Sequence, residues 1–320
     1  MEPEPRSPPP SLPQKSPPAL DGVPLGYLYA AAGAALFSTK AILIKLAYAE
    51  TISVETLLAL RMGLALPFYL MIGAFSLRDR SRSHGELPSA KLVFQSALIG
   101  ALGYWFASYM DFLGLQYITA QFERLILFTY PLFIVLLGAM FFGQSIRPQA
   151  VLAFAISYFG LALIFTENFS LEGEEVILGS AFVLAAALAF ALYQLLAKEA
   201  IAKVGPRLFT CIAMLGASGA AFLQFFAVEE AAAILVSPTL FLYGILIALF
   251  ATVLPSFFLS EALHRISAQA NGIIGTLSPL VTIILAAAIL GERITTLGIA
   301  GAVLVLGGVG WFTLKNYAEK

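Results

Sequence analysis

The sequence predicts an all-α integral membrane protein: ten transmembrane helices, arranged as two inverted five-helix repeats around a central cavity. Three observations carry this prediction. Of the 320 residues, 60% are hydrophobic and 12% charged, and the mean hydropathy is +0.89. A soluble globular domain needs about a quarter of its residues charged to cover its surface. The apolar residues come in ten runs, most of them long enough to cross a hydrocarbon core about 30 Å thick, which takes roughly 20 helical residues. Finally, the stretch 118–165 recurs without a gap 148 positions later, at 266–313. Ile118, Ala120, Gln121, Pro131, Leu132, Gly143 and Gly160 fall on Ile266, Ala268, Gln269, Pro279, Leu280, Gly291 and Gly308. Apolar helices resemble one another by composition alone. Coincidence of the proline, both glycines and the Ala-Gln pair marks an internal repeat.

Residues 1–24 carry nine prolines with serines and charges between them. They cannot bury enough apolar surface to offset their ordering entropy and are expected to form a disordered cytoplasmic tail. The ten spans are expected at 25–48, 53–75, 92–114, 119–142, 148–166, 176–199, 207–228, 239–261, 268–290 and 296–314. The first of them is expected to act as its own signal-anchor. Connections are short except for 76–90 and 167–175. The first five-helix repeat is then 25–166, an outer connecting loop 167–175, the second repeat 176–314, and a cytoplasmic C-terminal tail 315–320.

Ten crossings put both ends of the chain on one side, and the basic residues say which. Arg6, Lys15, Arg78, Arg80, Arg82, Lys91, Arg147, Lys198, Lys203, Arg207, Arg265, Lys315 and Lys320 fall on the side of the tails. The other side has Arg293 alone among many glutamates. By the positive-inside rule both termini are cytoplasmic, in a multi-pass protein of the inner (plasma) membrane. Because five is odd, equivalent helices of the two halves must run in opposite directions. That is an architecture for alternating access about a site between the repeats.

An ionisable side chain at membrane depth costs several kcal/mol unless it is paired or wet, so each one needs an account. Counted from the outer helix ends at 1.5 Å per residue, Lys40 and Arg61 sit roughly 12–14 Å deep and Glu123 with Arg124 roughly 6–8 Å. Asp111 lies about one turn in. All five belong to the first repeat; the counterparts of Lys40, Asp111, Glu123 and Arg124, namely Tyr193, Leu259, Asn271 and Gly272, carry no charge. Two readings of Lys40 and Arg61 are open. They are neutralised by Asp111 and Glu123 to hold helices together, or they form a cationic floor that receives a substrate carboxylate or phosphate. Glu123 is a candidate proton carrier. Glu123 and Arg124, adjacent on a helix, point about 100° apart and cannot both face one cavity.

Tyr104, Ser108 and Asp111 stand at i, i+4 and i+7, which gives the third helix one polar face, turned inward. Asn271, Gly275 and Ser278 repeat the spacing in the ninth helix and form a second candidate wall. Pro131 and Pro279 each remove a backbone hydrogen bond in mid-helix, freeing the carbonyls of Leu127 and Gly275 for gating or for substrate. Tolerated kinks, satisfied by neighbouring helices, are the other reading. His84 and His264 are dispersed and Cys211 stands alone, so no metal-ligand spacing or catalytic cluster exists, and neither an enzyme nor a cofactor is expected. Basic loop 78–91 is a cytoplasmic flank, not a nucleic-acid patch. The expected partners are a small-molecule substrate and the lipid bilayer, with the chain a monomer or a homodimer.

Ser267-Ala268, Pro279-Leu280-Val281, Leu290-Gly291-Glu292-Arg293-Ile294 and the glycine-rich last helix resemble the EamA-type ten-helix members of the drug/metabolite transporter superfamily. The likeness covers about residues 25–314. It implies a secondary, non-ATP exporter of small polar metabolites such as amino acids or related organic compounds, and the chain has no phosphate-binding loop. The sequence departs from the family pattern at Gln144, where the second repeat has Glu292. It departs again at Phe37-Ser38-Thr39-Lys40, where relatives often carry Trp-Gly-Ser-Asn, and at Glu123 and Arg124, where small or apolar residues are usual. Proton- or ion-coupled uptake is the alternative within transport. An integral-membrane enzyme, or a scaffold acting through the proline-rich tail, is the alternative outside it.

Overall fold

The computed structural model describes residues 23–83, 87–143, 148–265, 274–275 and 277–318. These residues form an all-helical membrane protein. Its helices are α1 (Val23–Ala49), α2 (Val54–Ser83), α3 (Ala90–Tyr117), α4 in two halves (Ala120–Leu127 and Tyr130–Phe142), α5 (Pro148–Glu172), α6 (Glu175–Val204), α7 (Pro206–Val228), α8 (238–265), α9 (Leu277–Leu290) and α10 (Thr296–Ala318). The first eight contain spans long and apolar enough to cross a membrane; Leu277–Leu290 and Thr296–Phe312 are shorter apolar helices. Large apolar side chains such as Phe94, Phe159, Leu223 and Val303 are exposed on the outside of the bundle. That is expected where the solvent is hydrocarbon.

Local chemistry sets the helix ends. Ser89, Thr119 and Ser237 accept hydrogen bonds from the amides of Leu92, Phe122 and Leu240 at 3.3, 3.2 and 3.2 Å, each satisfying an orphan donor of the first turn. Thr295 does the same for Gly298 at 2.9 Å. Gly143 and Gly291 close α4 and α9 with φ of +63° and +69°, a left-handed conformation that glycine adopts without a Cβ clash. At the C-terminal end of α6, Arg80 donates to the carbonyls of Val204 at 2.8 Å and Lys203 at 3.1 Å, placing a cation where the helix dipole is negative.

Several helices run further than the hydropathy suggested. α2 continues to Ser83, inside the expected loop 76–90. α5 runs to Glu172 and α6 begins at Glu175, so the expected loop 167–175 shrinks to Gly173 and Glu174. Beyond the apolar run, Asn168 and Ser170 fold their side chains back onto the carbonyls of Ile164 and Glu167 without interrupting the helix. α3 reaches Tyr117, which puts Asp111 six residues, about 9 Å, from its end rather than one turn.

Among the described residues there are three π-helical turns, at Ala101–Phe106 in α3, at Leu249–Val253 in α8 and at Ala286–Leu290, the end of α9. The two that interrupt longer spans, in α3 and α8, begin 148 positions apart, the offset of the sequence repeat. The Thr252 hydroxyl donates to the carbonyl of Ile247, five residues back, at 2.9 Å, so its side chain serves the widened turn. A π turn adds a residue to one helical turn and rotates everything after it.

Helix packing follows matched pairs. α1 packs on α8 and α9, while α6, the counterpart of α1, packs on α3 and α4; α2 lies on α7 and α5 on α10. Where α5 crosses α10, a Cβ on Gly160 would stand 2.7 Å from the Gly301 carbonyl, and one on Gly308 would stand 3.1 Å from the Ala153 carbonyl. Only glycine allows this approach. Position 160 meets 301 and 153 meets 308, so the two helices run antiparallel. Gly63 against Phe222 and Gly73 against Cys211 make the same point for α2 and α7. The largest buried cluster joins α1, α2, α3, α7 and α8, with Tyr69, Phe112, Leu115, Met62 and Ile247 fully enclosed.

Candidate functional site

The five intramembrane charges of the first repeat converge. Arg61 is 4%, Asp111 1%, Glu123 0% and Arg124 7% exposed. The Lys40 ammonium on α1 donates to Asp111 Oδ2 on α3 at 2.5 Å. For this residue the pairing reading of the sequence is realised.

Arg61 is different. Its Nε donates to Thr252 Oγ1 on α8 at 2.8 Å and one terminal nitrogen donates to Ser108 Oγ on α3 at 3.1 Å. The guanidinium carbon sits 5.6 Å over the Phe112 ring. Among the described residues no carboxylate forms an ion pair with it. A buried guanidinium with five donors is thus held by two neutral hydroxyls and an aromatic face. Those hydroxyls belong to equivalent helices of the two repeats. Beside them, Tyr69 on α2 shares a hydrogen bond of 2.9 Å with Ser256 on α8, so α2 is tied to α8 twice over.

Glu123 and Arg124 are both buried, so neither reaches the surface of the bundle. Arg124 reaches the Phe37 carbonyl on α1 at 3.2 Å, and its Nε lies 3.8 Å from Glu123 Oε2. The first turn of α4 lies against α1 and α3, so both sides of the turn are inward. Asp111 Oδ1 and both Glu123 oxygens are buried without a hydrogen-bond partner among the described residues.

Tyr104, Ser108 and Asp111 do not present one face. Tyr104 accepts a hydrogen bond from Tyr193 on α6 at 3.3 Å, Ser108 meets α2 and Asp111 meets α1. The reason is the π turn at 101–106, which displaces the i, i+4, i+7 register. Trp105 donates to Gln224 on α7 at 2.6 Å and Tyr109 to Glu55 on α2 at 2.7 Å.

Of the second candidate wall, Asn271 lies outside the described residues. Gly275 is half-buried. Ser278 faces α1, where the Ser38 hydroxyl donates to the Ser278 carbonyl at 2.9 Å with the Ser278 hydroxyl 3.0 Å away. Thr282 donates to the Ser38 carbonyl at 3.2 Å. Pro131 is not a mid-helix kink. α4 is broken at Phe128 and Thr129, and Pro131 sits in the first turn of the second half, where a missing N–H costs nothing. Pro279 is buried two residues after the first described residue of that stretch of α9, Leu277.

Sequence reasoning missed Thr252 and Ser256, although both stand at the repeat offset from Tyr104 and Ser108. It also missed the work of Glu292. The Glu292 carboxylate, between α9 and α10, accepts the backbone amides of Ala120 at 2.7 Å and Gln121 at 3.1 Å. One repeat thereby caps the N-terminus of a helix in the other.

An apolar groove of about 460 Å³ lined by Phe133, Phe154, Tyr158, Leu184, Ala185 and Leu188 lies between α4, α5 and α6. It opens outward and carries no charge, so it belongs to the lipid-facing surface.

The comparisons agree with this architecture. The EamA-like transporter family matches residues 24–166 and again 177–314. A relative in Bacillus subtilis (strain 168), Uncharacterized transporter YcbK, is 27% identical over 299 residues, 91% of this chain and 94% of its own. A protein solved by crystallography superposes with a TM-score of 0.62 over 93% of this chain and 99% of its own, at 17% identity, a likeness of fold. The two successive matches cover both halves of the chain, which therefore belongs to the EamA-like transporter family, a family of multi-pass membrane transporters and not of enzymes.

Proposed function

We propose that the chain is a secondary carrier that exports a small polar metabolite, such as an amino acid or related organic compound, by alternating access. Its two five-helix repeats, 25–166 and 176–314, are inverted about the site between them, with both termini in the cytoplasm and the protein in the plasma membrane. The antiparallel course of α2 with α7 and of α5 with α10 supports the inversion, because these are equivalent helices. The thirteen-to-one distribution of basic residues supports the orientation.

One observation carries the reading. Arg61 is buried at membrane depth, without a carboxylate partner among the described residues, and is held by one hydroxyl from each repeat. A scaffold cation would be neutralised by a carboxylate. A guanidinium held by weak neutral acceptors is a receptor for a substrate carboxylate or phosphate, which can displace them with a charge-assisted bidentate contact. Lys40, Asp111, Ser108, Tyr104, Glu123 and Arg124 belong to this side; Ser278, which packs on Ser38 of α1, and Asn271, proposed from the sequence alone, are assigned to the second repeat's share of the site. The break at Phe128 and Thr129, just before Pro131, lets the two halves of α4 move against each other, and Gly275 with Pro279 is proposed for the same role in α9 from its place in the sequence repeat.

A thermal-shift screen of purified protein against organic acids, amino acids, sugars and lipophilic cations tests this. A native-state ligand at one hundred times its Kd adds about 2.7 kcal/mol of stability. Acids or amino acids are expected to stabilise wild type but not Arg61→Lys, and counterflow of the same compounds in proteoliposomes should fall at least about tenfold, since the bidentate geometry is lost. Stabilisation by sugars or lipophilic cations alone, or an Arg61→Lys variant equal to wild type, refutes it.

A further inference from the structure

The seam between the repeats is written differently at its two ends. Where α9 ends, the backbone amide of Glu292 donates to the Ala286 carbonyl at 3.2 Å, and Gly291 turns the chain with φ of +69°. From there the Glu292 side chain reaches the start of α4 and takes the amides of Ala120 and Gln121 on its two oxygens. Three residues on, the Thr295 hydroxyl donates to Glu167 Oε2, near the end of α5, at 2.8 Å. The strap 291–295 is thus anchored on α5 and grips α4. Both contacts fall at one end of the bundle, the end that the proposed orientation places outside. The repeat sets the same joint at the opposite end with other residues. At the offset of 148, Glu292 corresponds to Gln144, and Ala120 and Gln121 to Ala268 and Gln269; Thr295 and Glu167 correspond to Arg147 and Lys315. Gln144, Arg147, Ala268 and Gln269 lie outside the described residues, but residue type alone sets the contrast. A carboxylate offers a helix N-terminus two oxygens and a charge, whereas a primary amide offers one oxygen and no charge. A hydroxyl and a carboxylate attract, whereas two cations repel. In both comparisons the outer joint has the stronger pairing.

We infer that Glu292 is the latch of the outer gate, and that its greater strength than Gln144 rests the carrier with the outer joint closed and the inner joint open, ready to load from the cytoplasm. The inference rests on the alternating-access reading above and adds to it a gating residue and a resting state. In such a cycle the two joints open in turn. Free energy that holds one of them shut therefore biases the whole equilibrium toward the state in which the other is open. The held turn of α4 continues directly into Glu123 and Arg124, which are enclosed, with Arg124 bonded to the Phe37 carbonyl of α1. Latch and charged cluster share one helical turn, so the joint cannot part without moving both.

Hydrogen–deuterium exchange of the full-length protein in nanodiscs tests the latch without any substrate, through peptides spanning 118–124 at the outer joint and 266–272 at the inner one. Glu292→Gln removes one acceptor and the charge. It should accelerate the outer peptide about fivefold, the equilibrium factor for one half-screened hydrogen bond. The deciding variant is Gln144→Glu, which alters only the inner joint. By strengthening that side it should accelerate the outer peptide by a similar factor and slow the inner one, and Gln144→Ala should do the reverse. Peptides of the α5–α10 crossing, 153–160 and 301–308, should exchange as in wild type and so show that each variant is folded. Acceleration of 118–124 by Glu292→Gln but not by Gln144→Glu overturns the inference, because Glu292 is then a helix cap and nothing more. An outer peptide that ignores both variants overturns it equally. Counterflow of amino and organic acids by wild type in proteoliposomes separates the two levels. With counterflow present, either failure removes the latch and leaves the carrier; wild type that moves none of these compounds removes the carrier reading and the gate with it.

Discussion

Removing the Glu292 carboxylate should unfasten the first turn of α4. In the structure its two oxygens accept the amides of Ala120 and Gln121 at 2.7 and 3.1 Å, while Thr119 caps Phe122 independently. A hydrogen bond to a charged group contributes about 1.5–3 kcal/mol when enclosed. Glu292 is only half-buried, so about 1 kcal/mol each is the appropriate figure after solvent screening. Glu292→Ala should therefore cost about 2 kcal/mol locally, a factor of roughly thirty in the opening equilibrium of that turn. Hydrogen–deuterium exchange of peptides spanning 118–124 reads this directly. Exchange at Ala120 and Gln121 should accelerate by about that factor in Glu292→Ala and by less in Glu292→Gln, which keeps one acceptor and loses the charge. Peptides of α7, remote from the contact, serve as internal reference. Unchanged protection at Ala120 and Gln121 would show that Thr119 alone holds the helix end and that the contact between repeats carries no energy.

Lys40→Met strips the cation from Asp111 and should lower stability by about 3–5 kcal/mol, the cost of leaving one partner of an enclosed pair. Lys40→Met with Asp111→Asn should recover most of the melting temperature and none of the flux; recovery of flux would reduce the pair to packing. Thr252→Ala takes away the Arg61 Nε acceptor and should cost about 1–3 kcal/mol by thermal melt, whereas an unchanged melt would mean that water replaces the hydroxyl. Gly160→Leu should push α5 off the Gly301 carbonyl and cost about 1–3 kcal/mol or more as overpacking. Gly310→Leu, with no neighbour within 4 Å of its added Cβ, should melt like wild type, and equal behaviour of the two variants would refute the crossing.

The sequence held the spans, the repeat and the cluster of charges, because each is written in residue type and spacing. The pairing of Lys40 with Asp111 was legible from opposite charge within one repeat, as one of two open readings, although the counted depths did not match them. Arg61 was legible as a buried cation but not as one held by Thr252, whose hydroxyl is a common sight in an apolar run and gains meaning only across helices. Pro131 misled because proline marks a disturbed helix without saying on which side the break falls; the break at Phe128 and Thr129 places it in a first turn. The polar face of Tyr104, Ser108 and Asp111 assumed a constant 3.6-residue turn, and Ala101–Phe106 contains no residue that announces otherwise. The far ends of α2 and α5 were hidden for a simpler reason. Hydropathy reports where lipid ends, and these helices continue past it.

The paired wide turns bear on how such a molecule tolerates change. Each one stores a single surplus residue within a span whose length the bilayer constrains. Excising one residue from 101–106 would tighten α3 into an ordinary spiral and swing Ser108 and Asp111 through about 100°. Arg61 and Lys40 would then lose their Ser108 and Asp111 partners with neither of those side chains replaced. Insertions and deletions at this place, harmless to hydrophobic thickness, should therefore be as damaging as replacing the ionisable residues themselves.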